Sequence, residues 1–182
     1  MSDLNFRSEN LRFGLRIPSR VVDGILKTCR SAGSTETGGV LIGHYSRRHD
    51  YALVTSYSGP PNDSRAGATW FERGVSGLGA WLKTLWSKQG DYYLGEWHFH
   101  PGGSPTMSPR DIREMATISF SRIYKCPEPV LLIIAGSATD KWSPGAYVFP
   151  RSEPHLELMP ENAIPKVSKK QSKHDKRSTS AH

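Results

Sequence analysis

The stretch Tyr92-Tyr93-Leu94-Gly95-Glu96-Trp97-His98-Phe99-His100-Pro101, followed after a six-residue loop by Ser108-Pro109-Arg110-Asp111, decides how this chain is read. Tyr92 to Phe99 reads as a β-strand, Pro101 to Met107 as a Gly/Pro-rich loop, and Ser108 as the start of a helix reaching about Arg122. On a strand, residues i and i+2 project to one face, so His98 and His100 stand side by side, placed to hold one metal ion. Ser108 fits the N-cap, Pro109 the first helical position and Asp111 the third. A strand end and a helix start converge at the rim of an α/β sheet, where such folds place their sites. Two imidazoles and one carboxylate form a zinc ligand set that leaves a fourth position for water. Taken singly, the parts have plainer readings. Ser108 and Asp111 form a helix-capping pattern with no metal, and backbone groups can satisfy a strand histidine pair. The combination is what points to a metal.

Outward from this stretch, strands and helices alternate. Pro18 followed by Val21, Val22, Ile25, Leu26 and Cys29 has helical spacing, and Gly33 marks its end. Gly38-Gly39 leads into a short buried strand, Val40-Leu41-Ile42-Gly43, and Ala52 to Tyr57 reads as the next strand. Ser58 to Gly74 is a long loop, a feature that in compact domains is often functional. Val75 to Lys88 reads as an amphipathic helix with a stripe of Leu78, Leu82, Leu85 and Trp86, with Trp81 alongside. The two tryptophans read as core or interface anchors. Val130 to Ala135 is a central strand, and Gly145 to Phe149 and Leu156 to Met159 are shorter ones. The class is α/β, with a mixed sheet covered by helices on its faces.

The chain has 182 residues, 36% apolar and 23% charged, which suits one domain plus a tail. The expected domain spans 11–162 and the expected basic, flexible tail 163–182. No apolar run approaches the roughly 20 residues needed to cross a bilayer. Met1 to Arg20 has interspersed charges and no apolar core of a secretory signal. Cys29 and Cys126 cannot build a disulfide framework, so a reducing cytoplasm is the expected compartment. Of the net charge of +7, residues 165–182 hold +5, with six Lys and Arg against Asp175. That segment is too polar to bury itself, so it reads as solvated, with a docking arm for an acidic partner as its functional alternative. Other sites fit poorly: there is no HExxH helix, no HxE with PCxxC, and no phosphate-binding glycine loop. His44, His49, His155, His174 and His182 lack a matching ligand pattern.

The segment His98-x-His100-Pro101-x6-Ser108-x2-Asp111 resembles the signature of the JAB/MPN metalloproteases, also called JAMM. The glutamate that this family carries ahead of its first buried strand has a counterpart in Glu36-Thr37-Gly38-Gly39-Val40-Leu41-Ile42-Gly43. The resemblance covers roughly Pro18 to Phe149. It implies a three-layer fold with a mixed, curved β-sheet flanked by helices. It also implies zinc on His98, His100 and Asp111, Glu36 as general base and then proton donor, and Ser108 as hydrogen-bond donor to the oxyanion. Glu96, at i−2 from His98, competes for the role of base. It is assigned instead to a place behind the ligands or at the sheet edge.

Tyr93 to Pro101 and the Gly59-Pro60-Pro61-Asn62 loop look like the stand-alone bacterial JAB proteases encoded with E1/E2-like proteins in the antiphage operons called CBASS. That implies an isopeptidase acting after the C-terminal residue of a ubiquitin-like modifier, or of a CD-NTase-type cyclic-oligonucleotide synthase, conjugated by an E1/E2-like enzyme. The substrate's extended tail would be received beside a sheet edge, near the Ser58 to Gly74 loop and the helix after it. Alternatives are a JAB protease of another bacterial ubiquitin-like or sulfur-carrier pathway, a RadC-like nucleic-acid-associated protein, and a scaffold without activity. No membrane partner is expected, and any nucleic-acid contact is assigned to the basic tail.

Overall fold

The computed structural model describes residues 2–163, so the expected tail lies outside the described residues except for Ala163. Two four-residue strands, β1 (Leu4–Arg7) and β2 (Gly14–Ile17), come first. The sheet therefore reaches further toward the N-terminus than the expected boundary at residue 11. Helix α1 (Ser19–Ala32) follows Pro18, which gives it no side-chain cap. Asp3 serves instead, its Oδ1 accepting from the Ser19 N–H at 2.8 Å. The buried face is Val21, Val22, Ile25, Leu26 and Cys29, the spacing of one helical stripe. Gly33, at φ 63°, ends the helix by donating to the Cys29 and Arg30 carbonyls.

The remaining elements are β3 (Thr37–Tyr45), β4 (Ala52–Tyr57), β5 (Arg65–Ala66), β6 (Phe71–Glu72), α2 (Leu78–Gln89), β7 (Tyr92–Pro101), α3 (Pro109–Phe120), β8 (Val130–Gly136), β9 (Trp142–Val148) and β10 (Leu156–Pro160). Strands β5 and β6 form a small hairpin inside the long loop. The other eight strands run in the order β1-β10-β9-β8-β7-β3-β4-β2 and close on themselves. Pairing is antiparallel except for β7 with β8 and β2 with β4. The mixed α/β character agrees with the sequence reading, but the curved sheet that the resemblance implies does not: the sheet is a closed barrel. Strand β1 is the reason. It pairs with β10 on one side, at Phe6 with Pro160, and with β2 on the other, at Leu4 with Ile17. Closure removes both unpaired edges. Nearby, the Arg7 and Arg16 guanidinium groups each lie 4.1 Å from the centre of the Tyr51 ring, whose hydroxyl donates to Glu161.

One core cluster draws on every barrel strand and on α1, with Phe6, Leu15, Leu41, Trp97, Leu132 and Leu158 among its members. A second lies on the other face, where Val40, Ile42, Leu131 and Ile133 meet Met115 and Ile118 of α3 and Leu78 of α2. Helix α2 covers less than its stripe suggests. Leu78 alone is buried, and Trp86 is 61% exposed, resting near the Tyr92 ring. The helix starts at Leu78 rather than Val75 because Gly77 adopts a left-handed φ of 76° just before it.

Strand β7 carries the feature that positions the site. Against β3, Leu41 pairs with Gly95 and Ile42 with Tyr93, so Leu94 is an extra residue. This bulge shifts the alternation by one. Leu94, Trp97 and Phe99 join the barrel cluster, while Tyr93 packs on the opposite face and its hydroxyl reaches Glu96. Glu96, His98 and His100 then follow at two-residue intervals on that opposite face. Gly95 sits at φ 153°, and a Cβ there would lie 1.8 Å from the Val130 carbonyl oxygen, so only glycine fits.

Candidate active site

His98 and His100 end β7, and β8 runs parallel beside it, with α3 as the crossover between them. That crossover returns the N-terminus of α3 to the C-terminal end of β7. Ser108 is the N-cap, with extended backbone, and Pro109 follows at the first helical position. Ser108 Oγ accepts from the Asp111 N–H at 3.1 Å, and Asp111 Oδ2 accepts from the Ser108 N–H at 2.7 Å. This reciprocal cap satisfies two orphan donors of the helix end. The other oxygen of Asp111, Oδ1, lies 2.9 Å from His98 Nδ1. The capping and ligand readings of Asp111 are therefore compatible, one for each oxygen.

His98, His100 and Asp111 each offer a ligand atom, and the three atoms lie within 4.8 Å of one another. His100 Nδ1 is 3.2 Å from the Ser104 carbonyl, which only accepts, so Nδ1 holds the ring proton and Nε2 is left for a ligand role. His98 is 5% exposed and Asp111 6%. Burial opposes charge on His98, but the Asp111 and Glu96 carboxylates outweigh it and raise the imidazole to about 9. Burial likewise works against the Asp111 carboxylate, yet His98 and the Ser108 bonds hold it down to about 2. The pocket favours positive charge between these groups. Two imidazoles and one ionised carboxylate, converging in this way, fit a zinc ion with one position left open.

Glu36 lies immediately before β3, its N–H donating to the Gly67 carbonyl at 2.9 Å. It shares a cleft of about 560 Å³ with the three residues above, Ser108, and the hairpin residues Trp70 and Phe71. Burial raises the Glu36 carboxyl above its ordinary range, with His100 and His98 pulling it back. A carboxylate shifted in that direction is better matched to proton transfer near neutral pH. Phe71 meets the His98 ring edge-on, with ring centres 5.8 Å apart. Gly38 makes room for both, since a Cβ there would lie 2.8 Å from the Phe71 ring and 3.0 Å from that of His98.

The structure thus brings Glu36, His98, His100, Ser108 and Asp111 to one cleft. Glu96 is set behind His98, bonded to Arg73 and not open to the cleft. His44, which matches no ligand pattern, pairs with buried Asp91 at 2.9 Å. Sequence reasoning did not single out Arg73, Trp70 or Phe71. The available signal for Arg73 was indirect: an acid within a strand of buried residues demands a cation from elsewhere.

Residues 18–145 match the family model described as prokaryotic homologs of the JAB domain. A protein of Enterobacter hormaechei subsp. hoffmannii named CD-NTase/cGAS isopeptidase is 42% identical, over 87% of this chain and 87% of its own length. A probable metalloprotease of Sinorhizobium fredii, y4qB, is 28% identical over 72% of this chain and 81% of its own. The solution structure of protein DSY2949 from Desulfitobacterium hafniense shares the fold, with a TM-score of 0.55, 20% identity, and 78% of this chain and 87% of that one covered.

Proposed function

The chain belongs to the prokaryotic JAB-domain family, and on that premise we propose that it is a zinc-dependent isopeptidase. Its substrate is a protein joined through its C-terminus by an E1/E2-like enzyme: a ubiquitin-like modifier or, first choice, a CD-NTase-type cyclic-oligonucleotide synthase. It reverses that conjugation in the cytoplasm, within bacterial antiphage defence. The observation that supports this most is the convergence of His98, His100 and Asp111 within 4.8 Å, in a cleft that also holds Glu36. The 42% identical relative carries the isopeptidase name. The proposed division is a catalytic domain over 11–162, to which β1 adds its pairing, and a basic tail over 163–182. No described helix is long and apolar enough to cross a membrane.

His98, His100 and Asp111 hold the metal. A bound zinc ion supplies polarisation of the scissile carbonyl and lowers the pKa of a bound water from 15.7 to about 7. Glu36 takes a proton from the attacking water and passes it to the leaving lysine amine, a transfer its raised affinity for protons suits. Ser108 Oγ already accepts the Asp111 N–H, so its own hydrogen is free to donate to the developing oxyanion. Phe71 and Trp70 line one wall of the cleft.

The test is cleavage of a synthase-linked conjugate made by the cognate E1/E2-like enzyme. Release of intact synthase by the wild type, absent with Glu36→Gln or after chelation, is the expected result. An intact conjugate with zinc-loaded, folded enzyme would contradict the reading.

A further inference from the structure

Glu96 is a buried acid with no role in the chemistry above. Its Oε1 accepts from Arg73 Nε at 2.9 Å and from the Tyr93 hydroxyl at 3.2 Å, and lies 2.8 Å from Arg73 Nη2. Its other oxygen, Oε2, faces His98 Nε2 at 3.6 Å. Arg73 is itself buried, donating through Nη2 to the Tyr124 hydroxyl and through Nη1 to the Gly74 carbonyl. Burying an ion pair is costly, and an apolar pair of similar size often packs as well or better. Its presence directly behind a candidate ligand calls for a reason beyond stability. The His98 ring lies between two carboxylates, Asp111 at Nδ1 and Glu96 at Nε2. Oε1 of Glu96 is saturated by its donors, and the group does not line the cleft.

We propose that Glu96, locked by Arg73 and Tyr93, is a positioning residue that holds His98 with Nδ1 turned toward the Asp111 side. The proposal rests on the zinc-site reading above. A carboxylate behind a ligating imidazole fixes its tautomer and orientation, and its loss typically weakens metal binding 10–100-fold. Arg73 directly follows β6, whose Phe71 touches the same ring. The hairpin that walls the cleft and the ligand that reads the metal are therefore held by one buried assembly.

The test is the zinc dissociation constant of the full chain, by competition with a chromophoric chelator, beside melting without added metal. Glu96→Gln is expected to weaken zinc binding about 10–100-fold while the protein stays folded. A folded Glu96→Gln protein that binds within about twofold of the wild type would overturn the proposal and leave the zinc site standing. A wild type that binds no zinc would overturn the site itself, and the proposal with it. Should Glu96→Gln fail to fold, nitrogen NMR of the zinc-loaded wild type decides. A His98 proton on Nε2 supports the proposal, and one on Nδ1 overturns it.

Discussion

Asp111 divides its carboxylate between the helix cap and His98, and Ser108 is similarly divided between its cap and its free hydroxyl hydrogen. Two readouts separate the roles of Ser108. Ser108→Ala should lose about 1 kcal/mol from the lost cap, some 2–4 °C in melting for a chain of this size. Turnover should fall far more, about 10²–10³-fold, if the hydroxyl serves the oxyanion. A turnover loss no larger than that expected from the stability change would remove that role. Glu36→Gln should lower turnover about 10²–10⁴-fold with zinc content unchanged. The cysteines make a separate case. Burial pushes the Cys29 thiol up to about 12 and that of Cys126 up to about 11. Raised values leave no thiolate at neutral pH, and alkylation needs the thiolate. Both thiols should resist alkylating reagents in the folded protein at pH 7–8 and react on unfolding. Rapid labelling of the native chain at either position would contradict the burial. The convergence of His98, His100 and Asp111 and the Ser108 cap were legible because their spacing is local. Arg73 was not, because its partner Glu96 lies 23 residues away and no periodicity marks it.

Among the elements, α1 and α3 were legible nearly to their ends, because Pro18, Gly33 and the Ser108 cap are local signals with backbone consequences. The bulge in β7 was not. Tyr92 to Phe99 reads as an unbroken strand, yet Leu94 has no partner in β3, and that decides which face the histidines occupy. Gly95→Ala is the sharp test of this element. A Cβ 1.8 Å from the Val130 carbonyl must push β7 from β8, so the variant should be largely insoluble or melt far below the wild type. A Gly95→Ala protein with unchanged melting would mean that the bulge lies elsewhere. Helix α2 was legible as an amphipathic helix, but not in how deeply it packs. Its apolar stripe does face the barrel, but a stripe reports only which side is apolar: Leu78 is buried, while Trp81, Leu82 and Leu85 are only partly so.

The whole molecule is set by closure, and closure is what the sequence concealed. Strand β1 is four residues long and finds its partner β10 at the far end of the domain, a pairing without local periodicity. Phe6 is 2% exposed within the barrel cluster. Phe6→Ala should cost about 3–5 kcal/mol, and a chain begun at Leu11 should melt well below the full chain. Equal stability of the shortened chain would show that the barrel does not depend on β1. Strands β7 and β8 are interior, paired on both sides, and give His98 and His100 a rigid base. Whether this base carries a metal is decided by elemental analysis of the purified full chain beside His98→Ala. About one zinc per chain is expected in the wild type, and its loss in the variant. A folded wild type that holds no zinc, even after metal is added, would contradict the zinc-site reading.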